Sequence, residues 1–285
     1  MDKFYTKPEY AKKCIEIVFD KYPIDQWDFI IEPSAGSGSF LCQLPFYPER
    51  LYEKIIGIDI LPEHSNILSQ DFLVYEPPQM HKNILIIGNP PFGKVSSMAI
   101  QFFNHSAKWA QVIAFIVPRT FRRVSIQNKL DLNFKLMYDE DVPITPCQFI
   151  PCMAAKCCFQ IWEKITDVQP QRKVIEYPTN HPDWMFLHFG PLDDKGQPTP
   201  PTDADFAIRA YGGSIGEIKI ENLDKLRPKS WHWIKVNNEK IDKETLMERF
   251  GKIDFSNSKN TARQNSMGKG ELVYSYIQLV NLILD

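Results

Sequence analysis

The sequence lacks several features that mark specialised classes of protein. No apolar run approaches the roughly 20 residues of a membrane-spanning helix, and the densest one, residues 112–117, has the length of a strand. The N-terminus has no apolar signal-peptide core, which favours a cytoplasmic or nuclear compartment. Internal repeats and low-complexity tracts are also missing. With 44% apolar and 24% charged residues, the chain is typical of one large globular domain, or of a large one carrying a smaller one, without a membrane partner.

Metal-binding cysteine motifs are also absent. Six cysteines occur in hydrophobic surroundings without the CxxC spacing of a zinc site: Cys14, Cys42, Cys147, Cys152, Cys157 and Cys158. We therefore predict reduced, mostly buried thiols, with neither a metal site nor a disulfide framework.

An excess of positive charge is missing as well. Lys and Arg (33) nearly balance Asp and Glu (35), which leaves a net charge of -2. A nucleic-acid partner would therefore have to be held by local basic patches. Two stretches are candidates, Arg119 with Arg122 and Arg123, and the acid-poor segment 259–269 around Arg263. Such clusters also occur on ordinary solvated surfaces.

The first 165 residues alternate strand-like and helix-like segments. The strand candidates are nearly continuously apolar, as in parallel strands covered on both faces: residues 29–31, 54–59, 83–88 and 112–117. Residues 8–22 and 98–109 show the spacing of amphipathic helices. This pattern predicts an α/β, Rossmann-like, doubly wound sheet over residues 1–165.

The remainder, residues 166–285, has a different texture and predicts a smaller α+β region. Residues 190–205 are rich in proline and polar residues and predict a loop. Residues 206–211 and 231–236 are strand candidates, and residues 271–284 form a candidate amphipathic helix.

A glycine-rich turn follows the first strand, in the segment from Glu32 to Gly38. Its glycines let the backbone approach a ligand, although a Gly-x-Gly alone also fits an ordinary tight turn. The turn lacks both the third glycine of a dinucleotide fingerprint and the lysine of a phosphate-binding loop. Asp59 ends the next strand 21 positions after Gly38, where a carboxylate can accept ribose hydroxyls, and Asp71 and Phe72 could flank an adenine. Each acid also fits a surface turn.

A second turn, Asn89-Pro90-Pro91-Phe92, directly follows the apolar strand 83–88. Because proline has no N–H, this turn is rich in acceptors and poor in donors. The Asn89 side-chain oxygen and the Pro90 carbonyl suit the two N–H groups of an exocyclic amine, and Phe92 can stack on its ring. A plain proline turn at the end of a strand is the alternative.

These elements, in this order over about 160 residues, resemble class I S-adenosylmethionine-dependent amino methyltransferases of the N6-adenine type. The order is similar to the gamma arrangement of DNA methyltransferases, including those of restriction-modification systems, in which the target-recognition region comes last. The resemblance implies S-adenosylmethionine as cofactor, and catalysis by Asn89, Pro90, Pro91 and Phe92. It implies the following cofactor-binding residues: Tyr5, Thr6, Glu32, Pro33, Ser34, Gly36, Gly38, Asp59, Ile60, Asp71, Phe72 and Asn89.

The resemblance also places a base-stacking aromatic on Phe149, for which Phe121 and Phe159 are alternatives and core packing is another role. Further substrate contacts are predicted at basic and aromatic residues: Arg119, Arg209, Lys229, Trp231 and Arg263. An ordinary β-rich subdomain with its tryptophans in the core is the competing interpretation.

Three functions fit the pattern. The first is methylation of adenine N6 in DNA after base flipping, favoured by the motif order and the appended C-terminal region. The second is the same reaction on structured RNA. The third is a non-catalytic partner that keeps the fold as a binding module.

Overall fold

A computed structural model of the protein describes residues 3–166 and 170–284. The chain forms two compact units, Met1–Val174 and Ile175–Asp285. The sequence boundary at 165/166 lies nine residues earlier. The structural boundary comes later because Arg172 packs on the first unit. Its guanidinium donates to the Phe134 carbonyl at 2.6 Å and lies 5.2 Å from the Trp162 ring centroid.

The described residues of the first unit form nine strands and three α-helices. The strands are β1 (Tyr5–Thr6), β2 (Phe29–Pro33), β3 (Ile55–Asp59), β4 (Ile67–Ser69), β5 (Ile84–Gly88), β6 (Val112–Pro118), β7 (Phe134–Asp141), β8 (Phe149–Ile150) and β9 (Cys157–Lys164). The helices are α1 (Pro8–Lys21), α2 (Ser97–Ser106) and α3 (Val124–Gln127).

Seven of these strands form one sheet in the order β4-β3-β2-β5-β6-β9-β7. Strands β2 to β6 are parallel, and β9 runs antiparallel between β6 and β7. The order reverses between β2 and β5, which is the position where open α/β sheets bind ligands. The sheet confirms the predicted Rossmann-like doubly wound fold.

Both faces of this sheet are covered by helices. Successive strand residues point to opposite faces, so neighbouring residues pack in different clusters. Ile30 and Leu85 pack in a cluster with the buried residues of α1, including Ile15. Ile31 and Ile86 belong to the cluster that contains the buried residues of α2. Burial on both sides explains why these strands are continuously apolar in the sequence.

The second unit has the predicted α+β composition. Its antiparallel sheet has the order β10-β13-β11-β12. The elements are β10 (Trp184–Phe186), β11 (Phe206–Arg209), β12 (Ile218–Lys219), β13 (Trp231–Val236), α4 (Lys243–Gly251) and α5 (Lys269–Leu284). Its core includes Trp184, Phe206, Phe250 and Tyr276. Residues 190–205 form the expected loop, with one isolated bridge between Leu192 and Pro198.

The cysteine prediction is wrong at one pair. Cys147 and Cys152 form a disulfide, while Cys14, Cys157 and Cys158 are free and buried, and Cys42 is free and partly buried. The chain around β8 turns back on itself and brings the two Cα atoms to 5.8 Å, within the range of a disulfide. Nothing in the sequence spacing reveals this turn.

Across residues 3–166 and 170–284, no helix is both long and apolar enough to cross a membrane. Nor does this part of the chain bring together three or more His, Cys, Asp or Glu side chains as a metal site would require.

Candidate active site

The two turns singled out in the sequence lie side by side. The glycine-rich turn follows β2, the Asn89 turn follows β5, and these strands are adjacent and parallel. Their proximity is tight, since a Cβ on Gly88 would lie 3.4 Å from Glu32 Cγ and from the Pro33 carbonyl oxygen. Topology thus brings together segments that are more than fifty residues apart in the chain.

Glu32 organises the glycine-rich turn from within. Its side chain is buried and accepts hydrogen bonds from the backbone N–H groups of Phe40 at 3.2 Å and Leu41 at 2.6 Å. Burial raises the pKa of Glu32 to about 8, although the two N–H donors act in the opposite direction. The carboxyl group therefore fixes the path of the chain after the turn.

The backbone of the turn is left-handed at Ser34, Gly36 and Gly38, with φ of 60°, 54° and 82°. Glycine is required most clearly at Gly36, where a Cβ would lie 2.5 Å from Tyr5 Cε1. The Tyr5 ring thus covers the turn closely.

Asp59, at the end of β3, connects to this turn. Its Oδ2 accepts from the Gly36 N–H and its Oδ1 from the Leu61 N–H, both at 2.8 Å. The next residue, Ile60, is 66% exposed. A carboxylate beside an exposed apolar side chain suits a nucleoside, with hydroxyls at the acid and a flat base on the aliphatic surface.

The Asp71 turn lies next to Asp59, because the Asp59 carbonyl accepts from the Gln70 N–H at 2.9 Å. Asp71 is exposed and caps the short turn Phe72–Val74 by accepting from the Leu73 N–H. The Phe72 ring is buried and stacks on Phe102 at 5.2 Å. The Phe72 ring is therefore committed to the core.

The N-terminal segment, residues 3–6, closes over the glycine-rich turn. Glu63 accepts from the Tyr5 hydroxyl and from Lys3 Nζ, and its backbone N–H donates to the Gly36 carbonyl at 2.9 Å. The ion pair with Lys3 lowers the pKa of Glu63. Sequence analysis missed Lys3 and Glu63, because residues sixty positions apart carry no local signal of pairing.

Asn89 has a fixed orientation. Its Nδ2 donates to the Phe4 carbonyl at 3.1 Å, and since a carbonyl only accepts, the nitrogen must be on that side. The opposite atom, Oδ1, is buried and has no hydrogen-bond partner. Pro90 is buried, and Pro91 and Phe92 are partly buried.

Thr6 provides a second buried polar atom without a partner, its Oγ1. Thr6 pairs with Phe149 across β1 and β8, so both side chains lie on the same face of this ribbon. The Phe149 ring is buried in the core, and so are the rings of Phe121 and Phe159. The structure thus places Phe149 opposite Thr6 but exposes none of these three rings.

Arg119 and Arg122 are neutralised within the protein. Arg119 pairs with Asp141 at 2.7 Å, and Arg122 pairs with Asp139 and Asp141, both at 2.6 Å. These acids lie on β7, about twenty residues further along the chain, so the sequence cluster did not reveal them. The predicted basic patch therefore has little free positive charge.

Of the predicted contacts in the second unit, Lys229 and Arg263 are exposed. Trp231 is buried, with the Arg209 guanidinium 5.4 Å from its ring centroid, and Arg209 also pairs with Glu217. The tryptophan therefore belongs partly to the core, as the competing interpretation expected, while the basic residues remain at the surface.

No family model and no curated protein matches the sequence. Among solved structures, a candidate class I S-adenosylmethionine-dependent methyltransferase from Listeria monocytogenes is 15% identical, with TM-score 0.45, over 60% of this chain and 64% of that one. A type I restriction-modification methyltransferase subunit from Streptococcus thermophilus is 17% identical, with TM-score 0.43, over 70% of this chain and 52% of that one.

A candidate RNA methyltransferase from Pyrococcus horikoshii is 13% identical, with TM-score 0.41, over 58% of this chain and 88% of that one. At these levels of similarity the neighbours carry no argument about the reaction. The assignment of the fold rests on the strand order of the protein itself.

Proposed function

We propose that this protein is an S-adenosylmethionine-dependent methyltransferase that modifies the exocyclic N6 amino group of adenine in nucleic acid, with DNA favoured over RNA. One observation carries the proposal: Asn89 Oδ1 is a buried acceptor without a donor, held in place by the bond from Nδ2 to Phe4. A buried acceptor of this kind costs free energy until a donor reaches it.

An exocyclic amine is the donor that fits best. Its lone pair is delocalised into the ring, which makes it a poor nucleophile. Asn89 Oδ1 and the Pro90 carbonyl would each accept one amine hydrogen and direct the lone pair outward, and Phe92 would hold the ring in line. The two prolines offer no competing N–H. As the new C–N bond forms, the bond between the methyl carbon and the sulfur would break and S-adenosylhomocysteine would leave. The extra amine proton would then pass to solvent, so no strong general base is needed.

The cofactor would be held by the residues around the glycine-rich turn. The fit is supported by the left-handed backbone at Gly36 and Gly38, by Asp59 beside the exposed Ile60, and by the unpartnered Thr6 Oγ1. When bound, S-adenosylmethionine supplies a methyl group on a sulfonium, which is a strong electrophile. Tyr5 would close the site from above, Glu32 and Pro33 would line it, and Asp71 would accept from the adenine amine.

A nucleic-acid substrate is supported by the exposed Lys229 and Arg263 of the second unit. The motif order favours DNA over RNA. A non-catalytic binding role would leave Asn89 Oδ1 without a purpose.

The decisive experiment is methyl transfer from a labelled donor to duplex DNA, single-stranded DNA or RNA, followed by identification of the modified nucleoside. We expect N6-methyladenine, chiefly in DNA. Asn89→Ala should lower the rate by roughly 10²–10³-fold, as for loss of one preorganised polar group, while cofactor binding changes little.

Asn83→Ala is the matched control, because Asn83 precedes the same strand at its opposite end and is exposed. Its rate should equal that of the wild type. Methylcytosine as product, label in protein alone, or full turnover by Asn89→Ala would each refute the assignment.

A further inference from the structure

The second unit contains a surface cavity. Its volume is about 220 Å³, and it is lined by aromatic and basic side chains: His188, Phe189, Lys229, Trp231, His232 and Lys269. Pockets for drug-sized ligands measure roughly 300–1,000 Å³, so this one suits a smaller group.

The lining contains two lysines and no carboxylate, in a protein of net charge -2. Both lysines are exposed. Lys229 has no ion-pair partner among the residues that the structure describes, and Lys269 Nζ lies 4.9 Å from the Phe186 ring centroid. The cavity therefore presents uncompensated positive charge, which favours an anionic group such as a phosphate.

The aromatic part of the lining suits a flat ring. Phe189 is 46% exposed, which is unusual for a phenylalanine, and Trp231 is supported by the Arg209 guanidinium. His232 Nε2 lies 2.8 Å from the Met267 carbonyl, to which it must donate. Because burial lowers the pKa of His232, the neutral ring keeps Nδ1 as an acceptor.

We infer that this cavity binds one unstacked nucleobase together with its adjoining phosphate. The lining residues belong to the second unit, and the base bound there is proposed to be one that is not methylated. The inference rests on the proposed function and deepens it: the second unit would hold the strand through a base that does not react. The exposed Phe189 ring would stack on the base, the buried Trp231 would form part of the cavity wall, and Lys229 and Lys269 would contact the phosphate.

The test measures binding of the full chain to fluorescein-labelled 12-mers of each single base, as DNA and as RNA, at several salt concentrations. Phe189→Ala should weaken binding about tenfold without changing the salt dependence, because stacking is lost and charge is not. Lys229→Ala should weaken binding. It should also lower the salt slope, which is the magnitude of the slope of log affinity against log salt concentration, by about one.

Two controls match these variants. Lys240→Ala removes an exposed lysine of the same unit, and Ile220→Ala removes a 49% exposed apolar side chain. Both should bind as the wild type does. Wild-type affinity in Phe189→Ala would overturn the inference, and so would equal competition by inorganic polyphosphate, which has no base.

Methyl transfer, assayed in parallel, separates the two proposals. If every variant showed normal turnover with unchanged KM, the inference about the cavity would be overturned and the proposed function would stand. Oligonucleotide binding that depends on Phe189 in a protein without methyl transfer would support the cavity and refute the proposed function.

Discussion

The two units use their sheets differently. In the first, five neighbouring strands are parallel, so their carboxyl ends share one edge and gather Glu32, Asp59 and Asn89 there. In the second, the strands are antiparallel, so the ends of successive strands lie at opposite edges of the sheet. Its cavity is formed by loop residues such as Phe189, by β13 and by Lys269, the first residue of α5. In a parallel sheet the strand direction alone determines where a site forms. In an antiparallel sheet the position of a site depends on individual side chains.

The largest effect should come from Trp184→Ala, which tests whether the units are independent. Trp184 is 1% exposed, in the core of the second unit. Its loss should lower the free energy of unfolding of that unit by about 3–5 kcal/mol, so that the second unit melts first. Cofactor affinity, measured by calorimetry below the melting temperature, should stay within a few-fold.

Met185→Ala is the control, since Met185 is the next residue of β10 and is 57% exposed. It should change stability by less than about 0.5 kcal/mol. Cofactor binding lost together with the second unit would contradict independence.

Glu32 should give the first unit a distinctive pH dependence. Its pKa rises from 4.5 to about 8 on folding, so the folded protein retains a proton that the unfolded chain releases. The free energy of unfolding should be highest below pH 4.5 and should decline by on the order of a few kcal/mol as the pH rises to about 8.

Urea midpoints between pH 5 and 9 measure this slope. Glu32→Gln should be less stable, because its amide NH2 replaces one acceptor, but its slope should be flatter. Glu53→Gln, at a 70% exposed side chain, should keep the wild-type slope. Parallel curves for Glu32→Gln and the wild type would show that Glu32 does not titrate in this range.

Gly36→Ala should weaken cofactor binding about tenfold. The new Cβ would lie 2.5 Å from the Tyr5 ring at a left-handed position, which costs roughly 1–2 kcal/mol. Adding Tyr5→Ala should relieve the contact but not the backbone strain, and would recover part of the affinity. Gly213→Ala meets no atom within 4 Å and should bind as the wild type does. Unchanged affinity in Gly36→Ala would place the cofactor elsewhere.

The smallest effects should distinguish two arginines. Arg263→Ala should lower the salt slope of DNA binding by about one and leave stability unchanged, because Arg263 is exposed. Arg122→Ala should do the reverse, destabilising the first unit through loss of its bonds to Asp139 and Asp141 while DNA binding is kept. Equal salt slopes in Arg263→Ala and the wild type would remove Arg263 from the interface.

The sequence predicts well whatever depends on local pattern. The parallel strands follow from continuous apolar runs, and the turns at Gly36 and Asn89 from glycine and proline chemistry. It predicts poorly what depends on distant pairing. The ion pair of Lys3 with Glu63 and the Cys147–Cys152 disulfide arise only once the chain has folded.

Burial of Phe149 illustrates the same limit on a finer scale. Strand alternation decides that Phe149 faces inward while Ile150 is 52% exposed, but which face is inward depends on pairing with β1. A two-residue strand has too short a pattern to reveal it.

The position of β9 has a consequence for synthesis on the ribosome. This strand is the last of the large sheet to be made, yet it lies between β6 and β7. Until it emerges, the nascent chain presents β6 as an open, wholly apolar edge. At roughly 5–20 residues per second, that interval lasts a few seconds, during which the growing polypeptide is most exposed to aggregation and to capture by chaperones.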